Sequence, residues 1–215
     1  IRKVEPGSSI LFKEGNLTTR RYYMPSLAST VMNASMNASE EELCEELDST
    51  LTNAVKKMLI SDVPLGAFLS GGLDSSLIVA LMAKAGGVPK TFSISFDEGS
   101  FDESRHASLV AQLIGTEHTH YEVAFDDFDS CLSLMEGFHE PFADSSGIPM
   151  FHLARETRKK VKVALSGDGG DEVFGGYRRY LAQSFAKYYF MTPKVLRNNI
   201  IKQFLSLFPD SDKYY

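Results

Sequence analysis

Two apolar runs of different period are separated by Ser70-Gly71-Gly72-Leu73-Asp74-Ser75-Ser76. Upstream, Pro64 to Leu69 is a short apolar stretch of strand length. Downstream, Ser75 to Ala85 carries apolar residues at helical spacing until Gly86-Gly87 ends the pattern. A strand feeding a glycine loop and then a helix is the opening of a βαβ unit, and such units build parallel sheets. The heptad therefore narrows the fold before any other part of the chain is considered.

The same alternation repeats downstream. Thr91 to Phe96 reads as a strand, Glu103 to Ile114 as a helix closed by Gly115, and His118 to Val123 as a strand. Helical patterns at about 125–138 and 149–160 precede the apolar strand Val161 to Leu165, which runs into a second glycine loop, SGDGGDEVFGG. The expected fold is α/β, a parallel sheet of about five strands with helices on both faces. Ligands of such sheets bind beyond the carboxyl ends of the strands, so topology places both glycine loops on one rim.

A loop that holds phosphate needs convergent backbone N–H groups, small residues and a following helix N-terminus. Residues 70–76 supply all three, with Gly71 and Gly72 for tight backbone and hydroxyls at Ser70, Ser75 and Ser76. Asp74 would repel a bare phosphate and suits the loop only if a divalent cation lies between its carboxylate and the phosphate oxygens. The heptad thus points to magnesium with a polyphosphate. No Gly-Lys-Ser/Thr follows, so it is not a Walker A loop, and the dinucleotide G-x-G-x-x-G spacing is absent. The plainer alternative is a strand-to-helix turn in which Asp74 caps the helix.

The net charge of −6 and the lack of an extended Lys/Arg cluster argue against a nucleic-acid footprint. No window approaches eighteen uninterrupted apolar residues and the start IRKVEPGSS lacks a signal-peptide core, so the expectation is a soluble cytoplasmic protein without a membrane partner. Cys44 and Cys131 have no metal-like spacing and read as reduced thiols, with Cys44 buried in a helix. Ser9 to Lys13 and Leu17 to Tyr23, separated by Glu14-Gly15-Asn16, form a hairpin in which Gly and Asn supply the positive φ. Pro25 to Ser39 is a polar connection, and its two Asn-Ala-Ser sequons fall in that connection. The capping box Ser39-Glu40-Glu41-Glu42 opens an amphipathic helix built on Leu43, Leu47, Leu51, Val55 and Met58 and ending near Ile60.

Taken together, SDVPLGAFLSGGLDSS, TFSISFDE, HEPFADSSGIP and LSGDGGDEVFGGY resemble the glutamine-hydrolysing asparagine synthetase family. They occur in the family's order and spacing, over roughly Arg20 to Tyr180. Ser-Gly-Gly-Leu-Asp-Ser-Ser itself is similar to the pyrophosphate loop of the N-type ATP pyrophosphatases, an adenine nucleotide alpha hydrolase-like fold. The resemblance implies that ATP is cleaved between its α and β phosphates, that aspartate becomes an aspartyl-adenylate, and that glutamine-derived ammonia displaces AMP to give asparagine. It implies further that Ser70, Gly71, Gly72, Leu73, Asp74, Ser75 and Ser76 hold the departing pyrophosphate, and that Asp74 with Asp171 holds Mg2+. Leu69, Ile94, Ser166 and Gly167 would line the adenosine side, and Asp168 would stand near the acceptor carboxylate, where some members carry Glu. Amidotransferases of polysaccharide clusters and β-lactam-forming synthetases share these loops, and a nucleotide-binding module without chemistry would keep them too.

Members of that family open with a glutaminase domain bearing a nucleophilic Cys after the initiator and carry a catalytic lysine well beyond the second loop. This chain opens at Ile1 and no lysine in it takes that role. It is therefore expected to be a portion of a longer synthetase, inactive by itself: residues 1–25 the tail of a glutaminase domain, 26–38 a linker, 39–215 an incomplete ATP-binding synthetase domain. A homodimer stays open for the full-length protein. Elsewhere, His118 and His120 face one side of a strand as metal ligands could, though no third ligand is near. Asp97, Glu98, Asp102 and Glu103 read as a solvated loop at the rim, with nucleotide contacts as the alternative. Asp144, Ser145 and Ser146 read as a helix-initiating turn with the acceptor substrate as the alternative, and YRRYLAQSFAKYYF as core or interdomain surface.

Overall fold

The computed structural model describes residues 3–24, 38–96, 103–123, 128–138, 144, 146–194 and 197. The chain divides into two compact units, Ile1–Thr50 and Leu51–Tyr215. The linker at 26–37, the acidic residues Asp97, Glu98 and Asp102, and Ser145 lie outside the described residues.

In the first unit, β1 (Ser8–Lys13) pairs antiparallel with β2 (Asn16–Arg21) as a two-stranded sheet of its own. The turn is Glu14-Gly15, with φ of 52° and 79°. Positive φ at both central residues matches the right-handed twist of the flanking strands. The expectation that Gly and Asn would share this role is corrected: Asn16 is already paired, and Glu14 takes the strained position. The capping box forms as written. Ser39 N–H donates to Glu42 Oε2 at 2.8 Å and Glu42 N–H to Ser39 Oγ at 3.2 Å, opening α1 (Glu40–Met58). Cys44, expected buried, is an exposed free thiol. Leu43 and Leu47 are also exposed in this half of α1, and the buried residues Thr52 and Val55 lie further along it.

The second unit is built on β3 (Leu65–Phe68), β4 (Lys90–Phe96), β5 (Glu117–Val123) and β6 (Val163–Leu165), all parallel, in the order β5-β4-β3-β6. Four strands stand among the described residues where about five were expected. The pleat sends alternate residues to opposite faces, so the registers Ala67↔Thr91 and Phe68↔Phe92 sort the core into two layers. On one face Ala67, Leu69, Leu65 and Leu165 pack with Val55 of α1, with Val79, Leu81 and Met82 of α2 (Leu73–Ala85), and with Ala107 and Ala111 of α3 (Ser104–Ile114). On the other, Phe68, Phe92, Ile94 and Tyr121 pack with Val161 and with Leu153 of α5 (Gly147–Thr157), against which α4 (Phe128–Phe138) lies. Helices therefore cover both faces; β3 and β6 read as nearly continuous apolar sequence for that reason, whereas β4 and β5 alternate apolar with polar residues.

The chain continues through α6 (Gly170–Phe174) to α7 (Arg178–Met191). The core reading of α7 is not what the structure shows: Leu181, Phe185, Tyr188 and Phe190 are all exposed. No described helix is long and apolar enough to cross a membrane.

Candidate active site

Because Ala67 pairs with Leu165, the residues that follow both strands leave the sheet on the same rim. There they border a cleft of ≈ 490 Å³. The first loop is held at both ends. Leu69 is 1% exposed and its N–H donates to Phe92 O at 2.9 Å, so the chain is tied down before it turns. Helix α2 begins at Leu73, two residues earlier than the apolar spacing suggests, with Gly72 as N-cap. Asp74 lies inside the first turn and does not cap, which removes the plainer account of its presence. An anionic side chain there still gains from the helix dipole.

Gly71 has φ 84°, and a Cβ on it would stand 2.5 Å from the His106 carbonyl carbon and 2.6 Å from the Ala107 nitrogen. Glycine is thus required twice, by conformation and by the approach of α3. The loop's hydroxyls are turned inward rather than simply offered to a ligand. Ser70 Oγ and Ser75 Oγ are 2.9 Å apart, Gly72 N–H donates to Ser70 Oγ at 3.2 Å, and Ser70 N–H donates to Ser75 Oγ at 3.3 Å. Ser76 Oγ is buried without a hydrogen-bond partner among the described residues.

The second loop packs onto the first. A Cβ on Gly167 would fall 2.7 Å from the Ser75 nitrogen, and one on Gly170 would fall 2.5 Å from the Asp74 carboxyl carbon. At Gly167 only backbone fits, and at Gly170 a side chain would have to displace the Asp74 carboxylate. Ser166 Oγ donates to Asp168 Oδ2 at 2.9 Å, a local turn that leaves Asp168 exposed. Asp171 follows in α6, its carboxylate against Gly176. Tyr177 Oη donates to Glu172 Oε1 at 2.6 Å; the bond holds the Glu172 carboxyl below its ordinary range and pushes the Tyr177 phenol up to about 12.

Of the expected residues, Leu69, Ser70, Gly72, Asp74, Ser75, Ile94, Ser166, Gly167, Asp168 and Asp171 border the cleft. Gly71, Leu73 and Ser76 do not: Leu73 is 83% exposed on the outside of α2, and Gly71 faces α3. Leu69 borders it although its side chain belongs to the core. Sequence reasoning missed Phe68, Ser93, Met150, Leu153, Glu172 and Tyr177 as lining. The last two stand within the second motif, whose carboxylates and aromatics could have been read together. Asp144 accepts from Ser146 N–H at 2.9 Å and from its Oγ at 2.7 Å, which lowers the Asp144 pKa and forms the helix-initiating turn. Ser146 and Glu103 reach the cleft.

Five carboxylates, Asp74, Glu103, Asp168, Asp171 and Glu172, line the cleft among the described residues, and no lysine or arginine does. Such a cavity repels a polyphosphate unless divalent cations intervene. Among the described residues no three His, Cys, Asp or Glu groups are clustered tightly enough to form a protein-only metal site. One or two carboxylates completed by phosphate oxygens and water is the usual complement of magnesium, so Asp74 and Asp171 fit that ion. His118 and His120 do not form a metal site here, because both ring nitrogens of each are hydrogen-bonded to hydroxyls.

The fold and cleft define a parallel α/β protein whose ligand rim is made by two abutting glycine loops. The asparagine synthase family model matches residues 46–214, and the chain belongs to that family. It is 39% identical over 198 residues to a putative glutamine-hydrolysing asparagine synthetase 2 of Methanocaldococcus jannaschii, covering 91% of this chain and 38% of the relative. It is 35% identical over 182 residues to glutamine-hydrolysing asparagine synthetase 1 of Bacillus subtilis, covering 84% and 28% respectively. The chain thus spans about a third of the length of these relatives. The NMN synthetase structure from Francisella tularensis aligns with 62% of this chain and 58% of its own at 17% identity and a TM-score of 0.45.

Proposed function

We propose that the cleft binds ATP and that this chain is the synthetase portion of an ATP-dependent amide-forming ligase making asparagine from aspartate and glutamine-derived ammonia. The observation that carries it is the packing of Gly167 and Gly170 directly on Ser75 and Asp74, which joins both motifs in one cavity. A side-chain carboxylate oxygen of aspartate attacks the α-phosphorus and the bond to the bridging oxygen breaks, releasing pyrophosphate. Ammonia then attacks the acyl carbon, AMP leaves with its new oxygen, and the nitrogen sheds a proton.

The α2 N-terminus and the loop N–H groups that face the cleft receive the departing pyrophosphate, since first-turn helix amides without an intrahelical partner stabilise an anion there. Ligand oxygens compete with the Ser70–Ser75 bonds for these groups. Asp74 and Asp171 would hold magnesium, which when bound neutralises charge on the leaving pyrophosphate. Leu69, Ile94, Ser166 and Gly167 border the adenosine side, and Asp168 stands toward the acceptor. In this reading residues 1–25 are the tail of a glutaminase domain, joined through 26–38 to the synthetase domain.

Isothermal titration tests the site. ATP should bind with magnesium and lose most affinity when the metal is chelated; binding indifferent to magnesium, or none, overturns the reading. Supplying aspartate and ammonia to the full-length ligase should release AMP and pyrophosphate, and release of ADP and phosphate would mean another chemistry.

A further inference from the structure

On the β4–β5 half of the sheet, the face covered by α3 is polar. Thr91, Ser93 and Ser95 alternate along β4 at 0%, 4% and 9% exposure, opposite His118 and His120 on β5. With Thr116 they form an unbroken row. Thr116 Oγ1 to Thr91 Oγ1 is 2.8 Å, Thr91 Oγ1 to His118 Nδ1 is 2.9 Å, and His118 Nε2 to Ser93 Oγ is 3.1 Å. Ser93 Oγ to His120 Nδ1 is 2.8 Å, and His120 Nε2 to Ser95 Oγ is 2.9 Å. The buried alanines 107 and 111 of α3 let that helix lie close over this face.

A neutral imidazole has one N–H and one bare nitrogen, and a hydroxyl has one hydrogen. When each group supplies one hydrogen to a single row, all of them donate in the same direction. Burial, and secondarily the nearby His120, hold His118 below its ordinary pKa, which favours its neutral imidazole. We propose that Ser93 is a positioning residue of the cleft: bonded to both imidazoles, its hydroxyl obliges them to share one tautomer and clamps the carboxyl half of β4 to β5, fixing Ile94 in the cleft wall. If both rings carry hydrogen on Nε2, Ser93 accepts from His118 and donates to His120; if both carry it on Nδ1, the directions reverse. Unlike tautomers leave either the Ser93 hydrogen unused within the row or a bare ring nitrogen without a donor, a cost in a buried setting. Ser93 and Ile94 both border the cleft, so the row ends its effect there. This inference rests on the nucleotide reading only for what the cleft holds.

Long-range proton–nitrogen NMR on the whole chain reads the tautomers directly. The wild type should show His118 and His120 in the same form. Ser93→Ala should release that match and speed amide exchange at Ile94 and Ser95 about tenfold, the worth of roughly one lost hydrogen bond. Ser93→Thr, which keeps the hydroxyl, should restore the match. Unlike tautomers in the wild type overturn the proposal, as does faster exchange in Ser93→Ala with tautomers unchanged, which would be mere loosening. If Ser93→Ala does not fold, the wild-type pair decides alone. Failure of the wild type to bind Mg-ATP would sink the nucleotide reading and leave the tautomer result standing as the test of the row.

Discussion

The loop after β3 runs from a buried leucine, Leu69, into a thirteen-residue helix, whereas the loop after β6 runs into a five-residue helix with no buried residue. Gly71 is wedged against α3 and the hydroxyls of Ser70 and Ser75 bond to each other across the first loop. In the second, Gly169 has φ 92° but a Cβ there would meet nothing within 4 Å, and the local bonds of Ser166 and Asp168 are exposed. Two motifs rich in the same residues therefore differ physically. One is a cradle built into the core; the other presents carboxylates and packs on the first through Gly167 and Gly170.

Alanine at Gly71 and at Gly169 should separate the two loops most strongly. Gly71→Ala combines an unfavourable φ with a backbone collision and should cost about 2–5 kcal/mol. In thermal denaturation that corresponds to a midpoint lower by roughly 5–15 °C. Gly169→Ala incurs only the conformational cost of about 1–2 kcal/mol, so equal losses would break the distinction. Asp74→Asn should leave the free midpoint within about 1 kcal/mol, because only a helix-dipole interaction is removed. At a hundredfold excess over Kd, ligand adds about 2.7 kcal/mol to the wild type. That gain should vanish in Asp74→Asn, and in Asp171→Asn if both carboxylates hold one ion; an undiminished shift would detach either residue from the metal.

A smaller effect is expected from the serines. Ser75→Ala removes the part-buried bonds to Ser70 and should cost about 0.5–1.5 kcal/mol, while Ser166→Ala, at an exposed turn, should stay within about 0.5 kcal/mol. Chemical denaturation of both variants measures the difference, and a reversed order would mean that the second loop is the better anchored. The smallest signal concerns Tyr177. Its pKa is raised by the bond to Glu172, to about 12. A raised folded pKa stabilises fully below the unfolded value near 10, and that contribution is lost as pH rises through about 12. Ultraviolet titration should therefore find a phenol ionising well above its ordinary range, absent in Tyr177→Phe and lowered in Glu172→Gln.

Much of this was legible in the chain itself, because it depended on neighbours in sequence. The period change around residues 70–76, the capping box at Ser39 and Glu42, and the strands preceding both loops are local patterns, and the four strands appear within two residues of their expected bounds. Of the thirteen residues singled out for the site, Gly71, Leu73 and Ser76 fall outside the cleft lining. Their side of the loop is set by where α2 begins and by the approach of α3, which no local pattern encodes.

Three features were decided by tertiary structure alone. The β3–β6 pairing brings Gly167 against Ser75, ninety-two positions away in the chain, and only the sheet order makes that approach. The β4–β5 register turns two histidines that alternate like metal ligands into members of a hydroxyl row, since each ring nitrogen finds an oxygen on the neighbouring strand. The burial of Leu69 and exposure of Cys44 depend on which helices cover each position, whereas apolar periodicity records only that some face could be covered. Sequence determined the strand–loop–helix units and the chemistry they carry, because those rest on local conformational preference and side-chain type. Which of those side chains share a cavity was settled by pairings between distant segments.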